Sequence, residues 1–464
     1  MSAPLLIASN RGPVSFEEDD SGALVECRGG GGLVGVAGAS EAARAQWVCA
    51  ALSAADRRAV REGRVPTGVT MLDLDPEMFD RAYNRVANAT LWFVAHLLFD
   101  TASAPSFDAR TARDWAAYRS YGAAFAAALA AEAAPGAAVL VQDYHLSLTP
   151  RQLRELRPDL RIGHFSHTPW APPEYFALLP DALAREVLLG MLGADAVGFH
   201  SARWADAFAR CCVQVLGADY ADGVLRHEGR STRVDVHPLG VDAAGLRARG
   251  AQPDVQSRLP HLRELVGDRQ LVLRVDRTEL SKNLVRGLEA YRELLRSRPQ
   301  WRRRVVHLAF AYPSRHDLPE YRAYTREVQR VAREVNEQYA EDGWLPVHLE
   351  VRDDHPRSLA AYALADVLLV NPLRDGMNLV AKEGPVLSTS GVSLVLSSQA
   401  GAADELGADA HVVNPFDVAQ TAEALHEALS TPAGLRAERS ARLAAAASAM
   451  PPTAWLAAQL AALA

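Results

Sequence analysis

Val370-Asn371-Pro372-Leu373-Arg374-Asp375-Gly376-Met377-Asn378-Leu379-Val380-Ala381-Lys382-Glu383 leaves a short apolar run, Ala365 to Val370, of the kind buried on both faces of a parallel sheet. Pro372 and Gly376 then punctuate a turn, and Met377 to Glu383 resumes with good helix formers. The sequence therefore predicts a strand, a tight loop and a helix start. The first N–H groups of such a helix lack internal partners and face an anion beyond the strand's carboxyl end. Gly376 permits a ligand to approach the backbone closely. Two carboxylates modify this picture, Asp375 at the loop and Glu383 about two helical turns further along one face. Both would repel a bare phosphate, whereas a sugar offers hydroxyls and a developing positive centre that both favour. The combination suggests a nucleotide sugar; the alternative is an ordinary strand-to-helix turn with Asp375 as its N-cap.

Length and composition set the frame for this loop. The 464 residues suffice for two domains with separate cores, and the 49% apolar and 23% charged content is that of a folded globular chain. A net charge of −7 gives no general attraction for nucleic acid or an anionic membrane, so the basic residues act locally. Cys27, Cys49, Cys211 and Cys212 show no metal-ligand spacing, and a reduced, cytoplasmic setting is the simplest reading. Met1 to Asn10 lacks the basic region of a signal peptide. Ala123 to Val141 reads as an Ala-rich helix and a strand, interrupted by Glu132, Pro135 and Gly136, rather than a membrane span.

Further strands end in polar words. Leu5 to Ala8 runs into Ser9-Asn10-Arg11, followed by a loop to Gly29-Gly30-Gly31-Gly32 and a helix from Leu33. Val139-Leu140-Val141-Gln142 delivers Asp143, Arg161 to Ser166 delivers His167, and Ala194 to His200 is another buried strand. Strands alternating with helices at this spacing indicate doubly wound parallel sheets, whose ligands lie at strand carboxyl ends. Asp73-Leu74-Asp75 has the form of a metal-binding pair but reads better as a strand with outward acids. Polar sequence from Val241 to Pro260 suggests a linker after a last strand at Val234 to Gly240. The second half opens with the strand Gln270 to Val275, and Arg277 and Lys282 stand at its end with the geometry to clamp a diphosphate. Asp353 and Asp354 follow a later strand where such a fold holds a nucleotide base, and a carboxylate there suits the paired N–H and NH2 edge of guanine. Trp455, Leu456, Leu460 and Leu463 form one apolar stripe after Pro451-Pro452.

The words Arg374 to Glu383, together with Ser9-Asn10-Arg11, Gln142-Asp143-Tyr144-His145-Leu146, His167-Thr168-Pro169 and Arg277 to Lys282, resemble the trehalose-6-phosphate synthase family of glycosyltransferases. The resemblance implies an α/β chain of two Rossmann-like domains facing across a cleft, the GT-B type. The expected division is 1–240 for the acceptor, 241–447 for the nucleotide sugar, and a helix at 448–464 returning to the first domain. The implied reaction is transfer of glucose from UDP- or GDP-glucose to glucose 6-phosphate with retention of configuration, forming α,α-trehalose 6-phosphate. No cofactor and no metal is expected. The implied catalytic set is His167, Arg277, Lys282, Asp375 and Glu383. Gly31, Gly32, Asp353, Asp354, Gly376, Met377, Asn378, Leu379 and Val380 are expected to join Arg277, Lys282 and Glu383 around the donor. Arg11, Tyr83, Trp92, Asp143 and Arg315 are expected around the acceptor. One departure stands out: the family's Trp-x-Gly-Trp falls on Trp47-Val48-Cys49-Ala50, so the second tryptophan is missing. A relative with another phosphorylated acceptor, or a non-catalytic sugar-phosphate sensor, is the alternative; the retained Arg277, Lys282, Asp375 and Glu383 argue against the sensor. The partners expected are these small molecules, with no nucleic acid or membrane, and a homo-oligomer is compatible with the reading.

Overall fold

Apolar runs that are buried on both sides become the centres of two parallel sheets. The computed structural model describes residues 2–29, 38, 45–315 and 317–464. The chain forms two compact units, one of Met1–Leu239 with Pro452–Ala464, the other of Gly240–Pro451.

In the first unit the parallel strands lie in the spatial order Val69–Leu72, Gln46–Ala50, Ala3–Ala8, Ala133–Gln142, Arg161–Ser166, Ala196–Phe199 and Arg230–Val236. Two antiparallel strands, Val224–His227 and Asp219–Ala221, extend the last edge. Numbered along the chain, the parallel strands run 3-2-1-4-5-6-7, which is the Rossmann order with one addition. The order reverses between Ala3–Ala8 and Ala133–Gln142, so Arg11 and Asp143 emerge on either side of the switch point.

The second unit repeats the scheme with Val347–Glu350, Val305–Tyr312, Gln270–Arg277, Val367–Val370, Ser393–Ser397 and His411–Val413, all parallel, in the order 3-2-1-4-5-6. Its strands bury both faces. Leu271, Leu273 and Val275 join one core with Leu308, Leu368 and Val370, while Val272 joins the opposite core with Val305, Val367 and Leu369. The period of two along each strand explains why these segments read as continuous apolar runs. Here the switch point falls between Gln270–Arg277 and Val367–Val370, and the loops after these two strands carry Lys282 and Asp375.

Three expectations need correction. The segment 241–260 is no linker: Asp242 caps the helix Ala243–Gly250 by accepting from the Gly245 N–H, and Val241, Val255 and Leu259 enter the second core. The strand Val69–Leu72 ends before Asp73, which pairs with Arg61, while Asp75 caps the helix Pro76–Asp80, so neither acid points outward from a strand. The helix expected from Met377 begins at Val380. Gly31, Gly32 and the helix expected from Leu33 lie outside the described residues. Among the described residues no helix is long and apolar enough to cross a membrane.

The terminal helix, Pro452–Ala461, belongs to the first unit. Its Trp455 is fully buried, donates its Nε1–H to the His237 carbonyl at 2.9 Å and meets Phe165 edge-on. Truncating a buried tryptophan removes transfer energy and leaves a cavity. Trp455→Ala should therefore destabilise the protein by about 3–5 kcal/mol, read as a fall in the urea midpoint; a midpoint equal to the parent's would show that the helix is not held by this residue.

Candidate functional site

In the second unit, two loops at the switch point are stitched together before any ligand arrives. The Leu373 N–H donates to Ser281 O at 2.7 Å, and Asn283 Nδ2 donates to Asn371 O at 3.0 Å. Fully buried Arg274 reaches Asn371 Oδ1 at 2.5 Å, the Lys282 carbonyl, and Asp276 at 3.0 Å. Lys282 Nζ lies 2.5 Å from Asp375 Oδ2, and both side chains are mostly buried. Burial opposes the ammonium charge, but Asp375 and Asp276 outweigh it and hold Lys282 above its usual range. Lys282 is thus a charged lysine throughout the physiological range.

The Asp375 loop is fixed from its other side as well. The Asp375 N–H donates to Gln399 O, Gly401 N–H to Asp375 O and Ala402 N–H to Met377 O. A Cβ on Gly401 would collide with the Gly376 carbonyl, so glycine is required there. Asn378 takes a left-handed φ of 86°, donates to Asp375 Oδ2 at 3.0 Å and accepts from the Ala381 N–H at 3.1 Å. Asn378, rather than Asp375, therefore satisfies the helix start, with Leu379 in the cap position and Val380 the first helical residue. Asp375 is left to face Lys282. Gly376 and buried Met377 complete the turn. Glu383 lies on the helix, with the buried Tyr362 hydroxyl 3.4 Å from Oε2, and burial raises its carboxyl to about 7.

On the neighbouring loops, Arg277 NH1 lies 2.9 Å and Arg315 NH1 3.6 Å from the same Glu279 Oε1. Burial opposes ionisation of Glu279, yet Arg277, Arg315 and Lys282 pull its carboxyl down to about 2. Asp354 caps the helix His355–Leu364 through the Arg357 N–H and lies 3.5 Å from Arg258, while Asp353 is exposed. Asp354 is therefore already committed to a structural cap.

In the first unit, exposed Arg11 donates to the Tyr83 hydroxyl at 3.4 Å, and Tyr83 stacks on His145. Buried Trp92 stacks on His96 and tilts against Tyr144. Asp143 has a φ of 72° and accepts the His167 N–H at 3.1 Å. The His167 ring is engaged at both nitrogens: Nε2 lies 2.9 Å from Gln142 Oε1, and Nδ1 lies 3.1 Å from His200 Nε2. A neutral imidazole has one donor and one acceptor nitrogen, so one of these contacts donates and the other accepts. Burial, with His164 nearby, lowers His167 to about 3, so the ring is neutral above about pH 4. A sugar hydroxyl could reach the ring nitrogens only if Gln142 or His200 yielded. Trp47 donates to Ser9 Oγ at 2.8 Å, and Ala50, at the position of the missing tryptophan, is buried at the end of its strand.

Glu279, His200 and Gly401 were not singled out from sequence, and Gln142 entered only as the residue replacing the first His of the family's His-Asp-Tyr-His-Leu. An acid two residues after Arg277 was the only local signal for Glu279; the others act through partners remote in the chain. Among the described residues, no group of three or more His, Cys, Asp or Glu side chains could hold a metal ion.

Glu383 yields a pH prediction. Its folded value of about 7 lies above the usual 4.5, so between these pH values the folded state binds the extra proton. Stability from this group is full below pH 4.5 and is lost as pH rises through 7. Glu383→Gln should abolish this component, gaining about 3 kcal/mol on the parent between pH 4.5 and pH 8. Urea unfolding at both pH values checks it, and equal pH slopes for parent and variant would contradict it.

Comparison with known proteins fits this geometry. Residues 4–464 match the sequence profile of glycosyltransferase family 20. A bifunctional trehalose-6-phosphate synthase/phosphatase of Thermoproteus tenax is 37% identical over 374 residues, covering 80% of this chain and 50% of that protein, so the chain spans half of its length. The crystal structure of a UDP-forming α,α-trehalose-phosphate synthase from Burkholderia vietnamiensis has 30% identity, a TM-score of 0.86 and 99% coverage of both chains. An E. coli structure described as trehalose-6-phosphate bound with UDP-2-fluoro glucose has 27% identity and a TM-score of 0.86, covering 99% of this chain and 98% of that one. With two Rossmann-like units of GT-B type and a profile match along nearly its whole length, this chain belongs to glycosyltransferase family 20, the trehalose-6-phosphate synthase family.

Proposed function

We propose that the protein is an α,α-trehalose-6-phosphate synthase, transferring glucose from UDP-glucose to glucose 6-phosphate with retention of configuration. The observation that carries this reading is the second switch point, where Lys282 pairs with Asp375 across two strand ends, with Arg277 ending the first strand and Glu383 on the helix beyond the second. The donor C1–O bond to the diphosphate breaks, the bond from the acceptor's anomeric oxygen to C1 forms on the same face, and the acceptor proton passes to a departing phosphate oxygen. Arg277, Lys282 and the first N–H groups of the helix at Val380 stabilise the charge that develops on the diphosphate. No metal is needed in this scheme. Asp375 and Glu383 serve the donor's hydroxyls.

Acceptor recognition is assigned to Arg11 and Tyr83, which already share a hydrogen bond, with Trp92, Asp143 and Arg315. His167, whose ring is held by Gln142 and His200, acts through its main-chain carbonyl. UDP is the favoured nucleotide, because relatives are named as UDP-forming and Asp354 is occupied as a cap. GDP-glucose is the competing donor, to be tested beside it.

Purified protein should release UDP and form trehalose 6-phosphate from UDP-glucose and glucose 6-phosphate. Nucleotide release that needs a different phosphorylated acceptor would overturn the assigned acceptor, and GDP-glucose turnover alone would overturn the donor. Lys282→Ala should keep the parent's circular dichroism and lose about 10²–10³ in kcat, the effect of removing one preorganised charge-stabilising donor. A near-parent kcat in that variant would remove Lys282 from the mechanism.

A further inference from the structure

Glu279 is a buried carboxylate that the reaction scheme above does not use. Its side chain is wholly excluded from solvent, yet one hydroxyl and two guanidiniums converge on one oxygen, Oε1: Ser314 Oγ donates at 2.8 Å, and Arg277 NH1 and Arg315 NH1 form ion pairs at 2.9 Å and 3.6 Å. Oε2 is buried and accepts no hydrogen bond among the described residues. The two arginines come from adjacent strands: Arg277 ends Gln270–Arg277, and Arg315 lies on the loop after Val305–Tyr312. Those strand ends are further joined where the Thr278 N–H and Oγ1 both donate to Tyr312 O.

The arginines differ in how they are held. Arg315 adopts a left-handed φ of 46°, donates to the Tyr321 hydroxyl at 2.8 Å and lies over that ring, so its side chain is largely buried. Arg277 is 48% exposed, and it forms an ion pair with Glu279. An exposed arginine samples many rotamers, and ordering them at binding weakens the complex. A carboxylate beneath both guanidiniums removes that cost in advance and prevents mutual repulsion of the two cations.

We propose that Glu279 is a positioning residue that fixes Arg277 and Arg315 through one shared carboxylate, so that the groups contacting the donor diphosphate and the acceptor phosphate are ordered as a pair. The proposal rests on the roles given to these arginines above. Neutralising Glu279 adds net positive charge, which favours anions at long range. That attraction is screened over about 10 Å at 0.1 M salt, whereas the lost ordering acts at contact, so affinity should fall.

The test is calorimetric titration at 0.1 M salt with UDP and with glucose 6-phosphate, each alone. The proteins are the parent, Glu279→Gln, Arg277→Ala, Arg315→Ala and the two double variants containing Glu279→Gln. Glu279→Gln should weaken both ligands about tenfold. Its effect on UDP should vanish in the Arg277→Ala background, and its effect on glucose 6-phosphate in the Arg315→Ala background. A general loosening of the fold would instead give equal, additive losses in every background, and that result overturns the proposal. Parent affinity for either ligand in Glu279→Gln overturns it too. If Arg277→Ala and Arg315→Ala leave both affinities unchanged, the assigned roles fail and the proposal falls with them, a pattern distinct from failure of Glu279 alone. Should Glu279→Gln not fold, Ser314→Ala, which removes the hydroxyl on Oε1, is expected to weaken both ligands in the same direction by a smaller factor; no change there counts against the shared carboxylate.

Discussion

Buried charge at the carboxyl end of the second sheet is the constraint on which this protein's chemistry depends. Arg274 with Asp276, Lys282 with Asp375, and Arg277 and Arg315 with Glu279 are three ionic groupings at the carboxyl end of the strand Gln270–Arg277 and on the loops after it and its two neighbours. Each charge taken from water needs a partner, because an isolated one costs several kcal/mol even after relaxation. The loops carry left-handed backbone at Asn283, Arg315 and Asn378. Such conformations are unfavourable for residues other than glycine, and here each is offset by hydrogen bonds, as when Asn283 Nδ2 donates to both Asn371 O and Pro415 O.

This arrangement sets what the ligand-free site can do. Lys282 is charged but engaged by Asp375, and a diphosphate gains it only by competing with that carboxylate. A sugar hydroxyl arriving with the diphosphate gives Asp375 a replacement partner. In the proposed reaction, exchange of partners rather than simple attraction would discriminate a nucleotide sugar from a free phosphate. In the first unit the corresponding rigidity comes from aromatic and imidazole packing. Trp455 of the terminal helix lies against His167 and His200, and His167 in turn is tied to Gln142 and to Asp143 through its main chain.

Much of this was legible in the sequence because the strands are buried on both faces. Val367–Val370 and Gln270–Arg277 read as strands, and polar residues just beyond them mark ligand-binding ends in a doubly wound sheet. Local pattern was a poorer guide wherever a distant partner decides the conformation. Met377 to Leu379 have helix-forming composition, yet the Ala402 N–H holds the Met377 carbonyl and Asn378 turns left-handed, so the helix waits until Val380. The polar segment after Val241 reads as a linker because its apolar residues are few, but Val255 and Leu259 suffice to dock it on the core. The ring partners of His167 were beyond local reading, since Gln142 and His200 come from two other strand ends. Glu279 escaped for the opposite reason: an acid beside a basic residue is commonplace, and its burial is not visible in the chain.

The most direct test of the account is a crystal structure of the protein with UDP bound. The account predicts the diphosphate on Arg277 and Lys282, facing the N–H groups at the start of the helix Val380–Leu387, with the Lys282–Asp375 pair opened or lengthened from 2.5 Å. A nucleotide bound elsewhere, with that pair and the Glu279 contacts untouched, would contradict it.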